Sequence, residues 1–354
     1  MIFSARRSGA ARTALAVTGC AGLLFATACE NPIGAKSAAS GSPSASARKS
    51  GGAVAPAAAP MAAWFRYHNG SAGLSIQTAR AKLGARGVHR LPGQSVQDVA
   101  FTFSPDTTMR TWTQVGAKGG LLYTNSTVYS STLKGYVRPY ANPAPCARPA
   151  WLGNRTIVYP RFHMDIRGNG GGAAGLQITR LTTGKGMMRF TRVATTRTTK
   201  YICGLMASGD QKHVVGTDGQ GGAGVVDLPT GASRPIPGIG SFRKPPFVAD
   251  IRGLSRDGRV AAVRLSSNGD TPGDGSRQPF ASPPTLIDTK TGAKEPIPVK
   301  GRLIDATYLT GGGLLVRVAG KPANTLVLLV GGTEVKRWTE PAAMRTWGLV
   351  AAGG

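Results

Sequence analysis

Downstream of residue 61 the apolar positions fall in short runs of Val, Ile, Leu and Tyr, each closed by a turn-forming cluster. No segment there holds apolar residues at spacings of three, four and seven for three helical turns. Fifty glycines and 24 prolines punctuate the chain. Short β-rich runs bounded by turn signals predict strands and not helices. The expected fold class is all-β.

The runs recur. A turn carrying Ser, Thr or Gly, with Asp or Gly close by, stands at Phe103-Ser104-Pro105-Asp106 and at Leu152-Gly153-Asn154-Arg155. It returns at Ala207-Ser208-Gly209-Asp210, Leu254-Ser255-Arg256-Asp257-Gly258 and Leu309-Thr310-Gly311-Gly312. Aligned on residues 104, 153, 208, 255 and 310, the spacings are 49, 55, 47 and 55. An apolar strand follows most of these turns, as at Thr156-Ile157-Val158-Tyr159 and Val260-Ala261-Ala262-Val263; Met109 and Trp112 after the first turn fit less well.

A second mark falls later in each unit. Val226-Asp227-Leu228-Pro229-Thr230-Gly231 and Leu286-Ile287-Asp288-Thr289-Lys290-Thr291-Gly292 share one shape, with weaker versions at Thr183-Gly184 and Gly332-Thr333. Such Thr-Gly turns predict hairpins. Two interleaved marks per 45–55 residues mean four short strands per unit, the signature of a β-propeller blade. Five units are visible, and residues 62–93 together with Thr346–Val350 supply strands for one more, built from both ends of the domain. The expectation is a β-propeller of about six four-stranded blades. Five or seven blades, and a pair of β-sandwiches, are the alternatives.

The segment Leu254-Ser255-Arg256-Asp257-Gly258-Arg259-Val260-Ala261-Ala262-Val263 resembles the TolB-like propeller repeat, whose strands open with a Ser-Pro-Asp-Gly turn. Phe103-Ser104-Pro105-Asp106 matches in part, with Thr107 in the place of the glycine. The resemblance extends over about 290 residues and implies a binding scaffold. It carries over no functional residue.

The N-terminus has a different character. Arg6, Arg7 and Arg12 precede an apolar run from Thr13 to Ala28, about 16 residues and short for a spanning helix, which needs roughly 20. A basic start, an apolar stretch and small residues at its end describe an export signal. Phe25-Ala26-Thr27-Ala28-Cys29 resembles a bacterial lipobox, with Ala26 where Leu is usual, which implies a lipid-modified Cys29 in an actinobacterial-type lipoprotein. Val17-Thr18-Gly19-Cys20 fits the local pattern better but leaves only Thr13–Gly19 as apolar core, so Cys20 is the second choice. A secreted protein cut after Ala28, or an uncleaved anchor, are the other readings. The Ala, Gly, Ser and Pro of the following tract predict a disordered tether. The expected organisation is signal peptide 1–28, tether 29–61 and propeller 62–354, held by lipid at the extracytoplasmic face of a cell membrane.

Charge sharpens this picture only a little. The net charge of +27 falls to +24 without residues 1–28, which hold three arginines and no acid. An exported chain meets anionic lipid and wall polymer, so no nucleic-acid partner is expected. The composition of a high-GC genome accounts for the arginines as readily, and a functional charge should instead gather on one face. Cys146 and Cys203 form an even pair in an oxidising compartment and predict a disulfide. It closes a loop of about 57 residues, worth ~3–4 kcal/mol; two free buried cysteines are the alternative.

Chemistry is sparse. There are four histidines and no Gly-x-Ser-x-Gly elbow. His163-Met164-Asp165 offers two metal ligands where a zinc site needs more. Asn268–Gly275 lacks the calcium-loop spacing. Gly168–Gly172 and Gly219–Gly222 read as turns and not phosphate cradles. No catalytic residue, metal or cofactor is predicted. Asp250, Asp257 and Asp305 sit near strand starts, where a propeller presents groups to its centre. The expected function is a non-enzymatic scaffold for an envelope protein or an anionic wall polymer. The alternative is a hydrolase or lyase of acidic polysaccharide, which requires carboxylates converging beside Arg or His.

Overall fold

Val260-Ala261-Ala262-Val263 shows no polar alternation because its strand is covered on both faces. Ala261 and Val263 pack with Val215 and Val225 on one side, while Val260 and Ala262 pack with Val316 and Val327 on the other. Successive strand residues point to opposite faces, so a strand between two neighbours must be apolar throughout. The same division sends Val214 and Val226 to one side of their sheet and Val215 and Val225 to the other.

These positions come from a computed structural model that describes residues 60–70, 73–84, 87–91, 95–96, 100–118, 121–130, 135–142, 149–162, 173–184, 187–267 and 284–351. All fall within one compact unit, 51–354. Cys29, Cys20, the tether to residue 59, Cys146, His163-Met164-Asp165, Gly168–Gly172 and the 268–275 loop lie outside the described residues.

The strands run β1 (Met61–Gly70), β2 (Gly73–Gly84), β3 (Gly87–Leu91) and β4 (Ser95–Val96), and then five meanders. Blade 1 is β5 (Ala100–Phe103), β6 (Met109–Lys118), β7 (Leu121–Ser130) and β8 (Gly135–Asn142). Blade 2 is β9 (Ala150–Gly153), β10 (Thr156–Phe162), β11 (Ala173–Gly184) and β12 (Met187–Thr196). Blade 3 is β13 (Cys203–Ala207), β14 (His213–Thr217), β15 (Ala223–Asp227) and β16 (Ser233–Pro235). Blade 4 is β17 (Phe247–Leu254), β18 (Val260–Ser266), β19 (Pro284–Asp288) and β20 (Lys294–Glu295). Blade 5 is β21 (Leu303–Tyr308), β22 (Leu314–Val318), β23 (Thr325–Val330) and β24 (Thr333–Thr339). A short 3-10 turn at Ala342–Met344 leads to β25 (Gly348–Ala351).

Each blade is a four-stranded antiparallel sheet in sequence order. A further sheet has the order β25-β1-β2-β3, with β4 also on β2. Its register sets Trp64 opposite Leu349 and Phe65 opposite Gly348, so both ends of the domain share one sheet. The first strands touch in succession, β5 to β9, β13, β17 and β21, then β25, which returns to β5. That closed circuit is a β-propeller, and the pair of β-sandwiches is ruled out by it. Among the described residues there is no α-helix.

Both sequence marks are turns with side-chain logic. In Ser104, Ser208 and Ser255 the hydroxyl donates to the aspartate two residues on, at 2.7, 2.5 and 2.7 Å. Each hydroxyl oxygen also accepts the N–H five residues on, from Met109, His213 and Val260 at 2.9, 3.0 and 2.8 Å. Turn geometry is thereby fixed at the mouth of each inner hairpin. The turns then link blade to blade: Asp106 N–H donates to Asn154 Oδ1 at 2.9 Å and Asp210 N–H to the Arg256 carbonyl at 2.9 Å.

In the later mark, Asp227 and Asp288 accept the N–H of Thr230 and Thr291, each at 2.8 Å, before Gly231 and Gly292 at φ 73° and 75°. Those positive φ values favour glycine. The outer strands that follow are only three and two residues long, because Pro235 and Pro296 bring no N–H to the ladder. Met109 and Trp112, the weak match in the sequence, nevertheless lie in β6.

Candidate functional site at the ring centre

Arginine inside an apolar strand needs an acid, and the ring centre is built on that need. Arg252 on β17 is buried, and so is Asp305 on β21. Arg252 Nη2 donates to Asp305 Oδ2 at 2.7 Å and Nε donates to Oδ1 at 3.2 Å, a two-pronged pair. Arg252 Nη1 reaches Asp250 Oδ2 at 3.1 Å, and Nη2 also donates to the Leu349 carbonyl on β25. One guanidinium therefore ties three successive inner strands. Arg264, from β18, comes within 3.0 Å of Asp305 Oδ1 and donates to the Ile304 carbonyl at 2.7 Å.

Two guanidinium groups and two carboxylates make the cluster neutral. Burial works against the charged form of Arg252, but Asp305 and then Asp250 outweigh it and hold its pKa above the ordinary value. For Arg264 burial wins, with Arg252 repelling it, and its pKa is lowered despite Asp305. Asp305 also accepts the Ala306 N–H at 2.9 Å. Both its oxygens are thus committed, while Asp250 keeps its side chain about one-third exposed, at 32%.

The three aspartates expected near the centre separate here. Asp250 and Asp305 meet on Arg252, whereas Asp257 stays in its turn, accepting from the Ser255 hydroxyl and the Arg259 N–H at 2.7 and 3.1 Å. His213 lies between the two turns of its own blade, 3.5 Å from Asp210 and 3.5 Å from Asp227. The Gly219–Gly222 turn spends its N–H groups on Asp218, whose Oδ1 accepts from Gln220 and Gly222 at 2.8 and 3.0 Å. Among the described residues no group of three or more His, Cys, Asp and Glu is placed to hold a metal. Cys203 is buried on β13, and Cys146, its expected disulfide partner, lies outside the described residues.

Sequence reasoning missed a second buried cluster. Arg317 on β22 donates to Glu340 Oε2 at 2.7 Å (Nη2) and 3.2 Å (Nε). Asn324 donates to the same oxygen at 2.6 Å. Arg317 also holds the Trp347 and Met344 carbonyls, at 2.5 and 2.7 Å, just ahead of β25. Its role is to fasten the returning chain end. The available signal was a cation within an apolar run, Leu314-Leu315-Val316-Arg317-Val318.

No protein-family model matches the chain, and no curated protein matches it. Likeness is found among solved structures. TolB from Acinetobacter baumannii is 12% identical over 82% of this chain and 63% of its own, with a TM-score of 0.41. A chain of a nidogen/laminin complex is 8% identical over 83% of this chain and 100% of its own, with a TM-score of 0.42. A chain from a study of two prolyl endopeptidases is 16% identical over 80% and 42%, with a TM-score of 0.37. The chain thus spans less than two thirds of TolB.

Proposed function

We infer that this protein is a lipid-anchored lipoprotein at the extracytoplasmic face of the membrane, whose propeller binds a partner without chemical turnover. The organisation is a signal peptide over 1–28, a tether over 29–61 that begins at lipid-bearing Cys29, and a propeller over 62–354. The sheet built from both chain ends counts as the sixth blade, closing the ring and removing its exposed edges. The partner is an envelope protein or an anionic wall polymer, and neither nucleic acid nor a cofactor takes part.

The observation that carries the scaffold reading is the saturation of Asp305. A general acid or nucleophile must present an oxygen to substrate, and this buried carboxylate gives both of its oxygens to arginines and a main-chain N–H. Its work is to hold β21 to β17 and β18 through Arg252 and Arg264. Metabolic labelling with an alkyne fatty acid tests the anchor: the wild type takes the label and Cys29→Ala does not. Equal labelling of the variant moves the anchor to Cys20 or removes it.

One observation favours the second reading, a hydrolase or lyase of acidic polysaccharide. Asp250 and Asp305 do converge, with Arg252 and Arg264 beside them. Asp250 is the more exposed of the two acids and is the group that such an enzyme would use. Polymer cleavage abolished by Asp250→Asn would establish it.

A further inference from the structure

The positive charge is unevenly distributed along the propeller. From Thr107 to Gly209 the chain holds fourteen Lys and Arg and a single acid, Asp165. From Asp210 to Gly354 it holds eighteen cations against twelve acids. The first stretch covers β6 to β12, most of blades 1 and 2, and these blades are neighbours: Thr102 donates to the Pro149 carbonyl at 3.2 Å and β8 touches β12. The excess charge is therefore concentrated in the part of the chain that forms blades 1 and 2.

In blade 2 and the segment just after it, six of the described cations are at the surface. Arg155, Arg180, Arg189, Arg192, Arg197 and Lys200 are all exposed. β12 is the outermost strand of its sheet, and residues 191–195 are exposed one after another, so both of its faces meet solvent. Arg192 lies opposite Thr179 and Arg180 opposite Thr191. Residues 179 and 180 are adjacent on β11 and point to opposite faces, so Arg180 and Arg192 flank the rim on either side. A flat bilayer meets one side of such a rim, whereas a thread can follow both.

We propose that the outer edge of blade 2 is the docking surface for a linear polyanion, an envelope polymer with phosphate or carboxylate repeats. This rests on the scaffold reading and names its partner class. Guanidinium groups pair with phosphate or carboxylate through two N–H donors, and a focused field attracts a polyanion more strongly than a dispersed one. Many weak contacts along one thread also make binding depend steeply on salt, since screening shortens to about 8 Å at physiological ionic strength.

The test uses full-length protein in non-ionic detergent, applied to immobilised long-chain polyphosphate and to polygalacturonate across a salt series. Two triple variants carry the same change in net charge: R180E/R189E/R192E at the blade 2 edge, and K290E/K300E/K321E at exposed positions outside it. The edge variant should lose roughly tenfold or more in affinity with a shallower salt dependence, as removal of contacts to a polyanion requires; the control should stay within about twofold. Wild-type unfolding midpoints establish that both variants fold, and R180Q/R189Q/R192Q, with smaller losses, replaces the edge variant if it does not. Equal losses in both variants overturn the edge as docking surface, leaving only net charge. Displacement by phosphatidylglycerol mixed micelles as strong as by polyphosphate, at equal phosphate, overturns the polymer in favour of a lipid surface. No retention of the wild type makes the charge compositional. Anchoring by Cys29 has no part in these readouts, and the fatty-acid label answers it separately.

Discussion

Trp64 Nε1 donates to Glu340 Oε1 at 2.5 Å, across 276 residues of sequence. Both residues are buried, at 1% exposure each. Trp64 opens the domain on β1, and Glu340 follows the last strand of blade 5. With Arg317 and Asn324 on its other oxygen, Glu340 locks the closing sheet against blade 5. Glu340→Ala strands the Arg317 guanidinium without its charge partner, and loss of one member of a buried pair costs about 3–5 kcal/mol. Trp64→Phe removes the indole donor and part of the ring's volume and should cost ~1–3 kcal/mol. Denaturant unfolding of the two variants measures the difference.

The ring-centre acids should separate in the same way. Asp305→Asn leaves Arg252 and Arg264 facing a neutral amide, with a predicted loss of about 3–5 kcal/mol. Asp250→Asn touches a partly exposed pair and should cost under ~1 kcal/mol. Equal losses would mean that Asp305 is not the hub of the cluster.

Acid should unlock the turns. Asp257 is held below its ordinary value of 3.8: burial alone would raise it, and the Ser255 hydroxyl with the Arg259 N–H outweighs that. Asp210 is lowered likewise, burial being outweighed by the Ser208 hydroxyl and the Lys212 N–H. A carboxylate whose folded pKa is depressed stabilises the fold above its unfolded value, and that stability is lost as pH falls through the folded value. Stability should therefore decline as pH drops below about 3.8. Ser255→Ala should cost ~1 kcal/mol at neutral pH and flatten part of the acid limb, read by urea titration at several pH values.

Mass spectrometry of a non-reducing digest should recover a Cys146–Cys203 peptide. Cys203→Ser should then cost about 3–4 kcal/mol. A Cys203 peptide joined to Cys20 or Cys29 would contradict the pairing.

The blade period was legible because its turns repeat a chemical device. Ser208 and Asp210 mark the same bend as Ser255 and Asp257, and both pairs close the same hydrogen bonds. Closure was legible from strand-like runs at both ends, now paired at Trp64 and Leu349. The ring centre was only half legible. Asp250 and Asp305 stand near strand starts, but Asp257 has the same sequence placement and is used up within its turn. What separates them is a partner on another blade: Arg252 meets Asp305 across 53 residues and Leu349 across 97. Single-sequence pattern holds no record of such distant pairing. The closing clasp was missed for the same reason, since Arg317 and Glu340 become a pair only after the last blade turns back.

Binding without turnover is the central claim, and one incubation tests it most directly. Full-length protein is held with polygalacturonate at low salt, and both the bound fraction and the chain length of the polymer are followed for several hours. The account predicts binding that weakens as salt rises, with polymer length unchanged. Shortening of the polymer by the wild type that disappears in Asp250→Asn would contradict it and make the ring centre an active site.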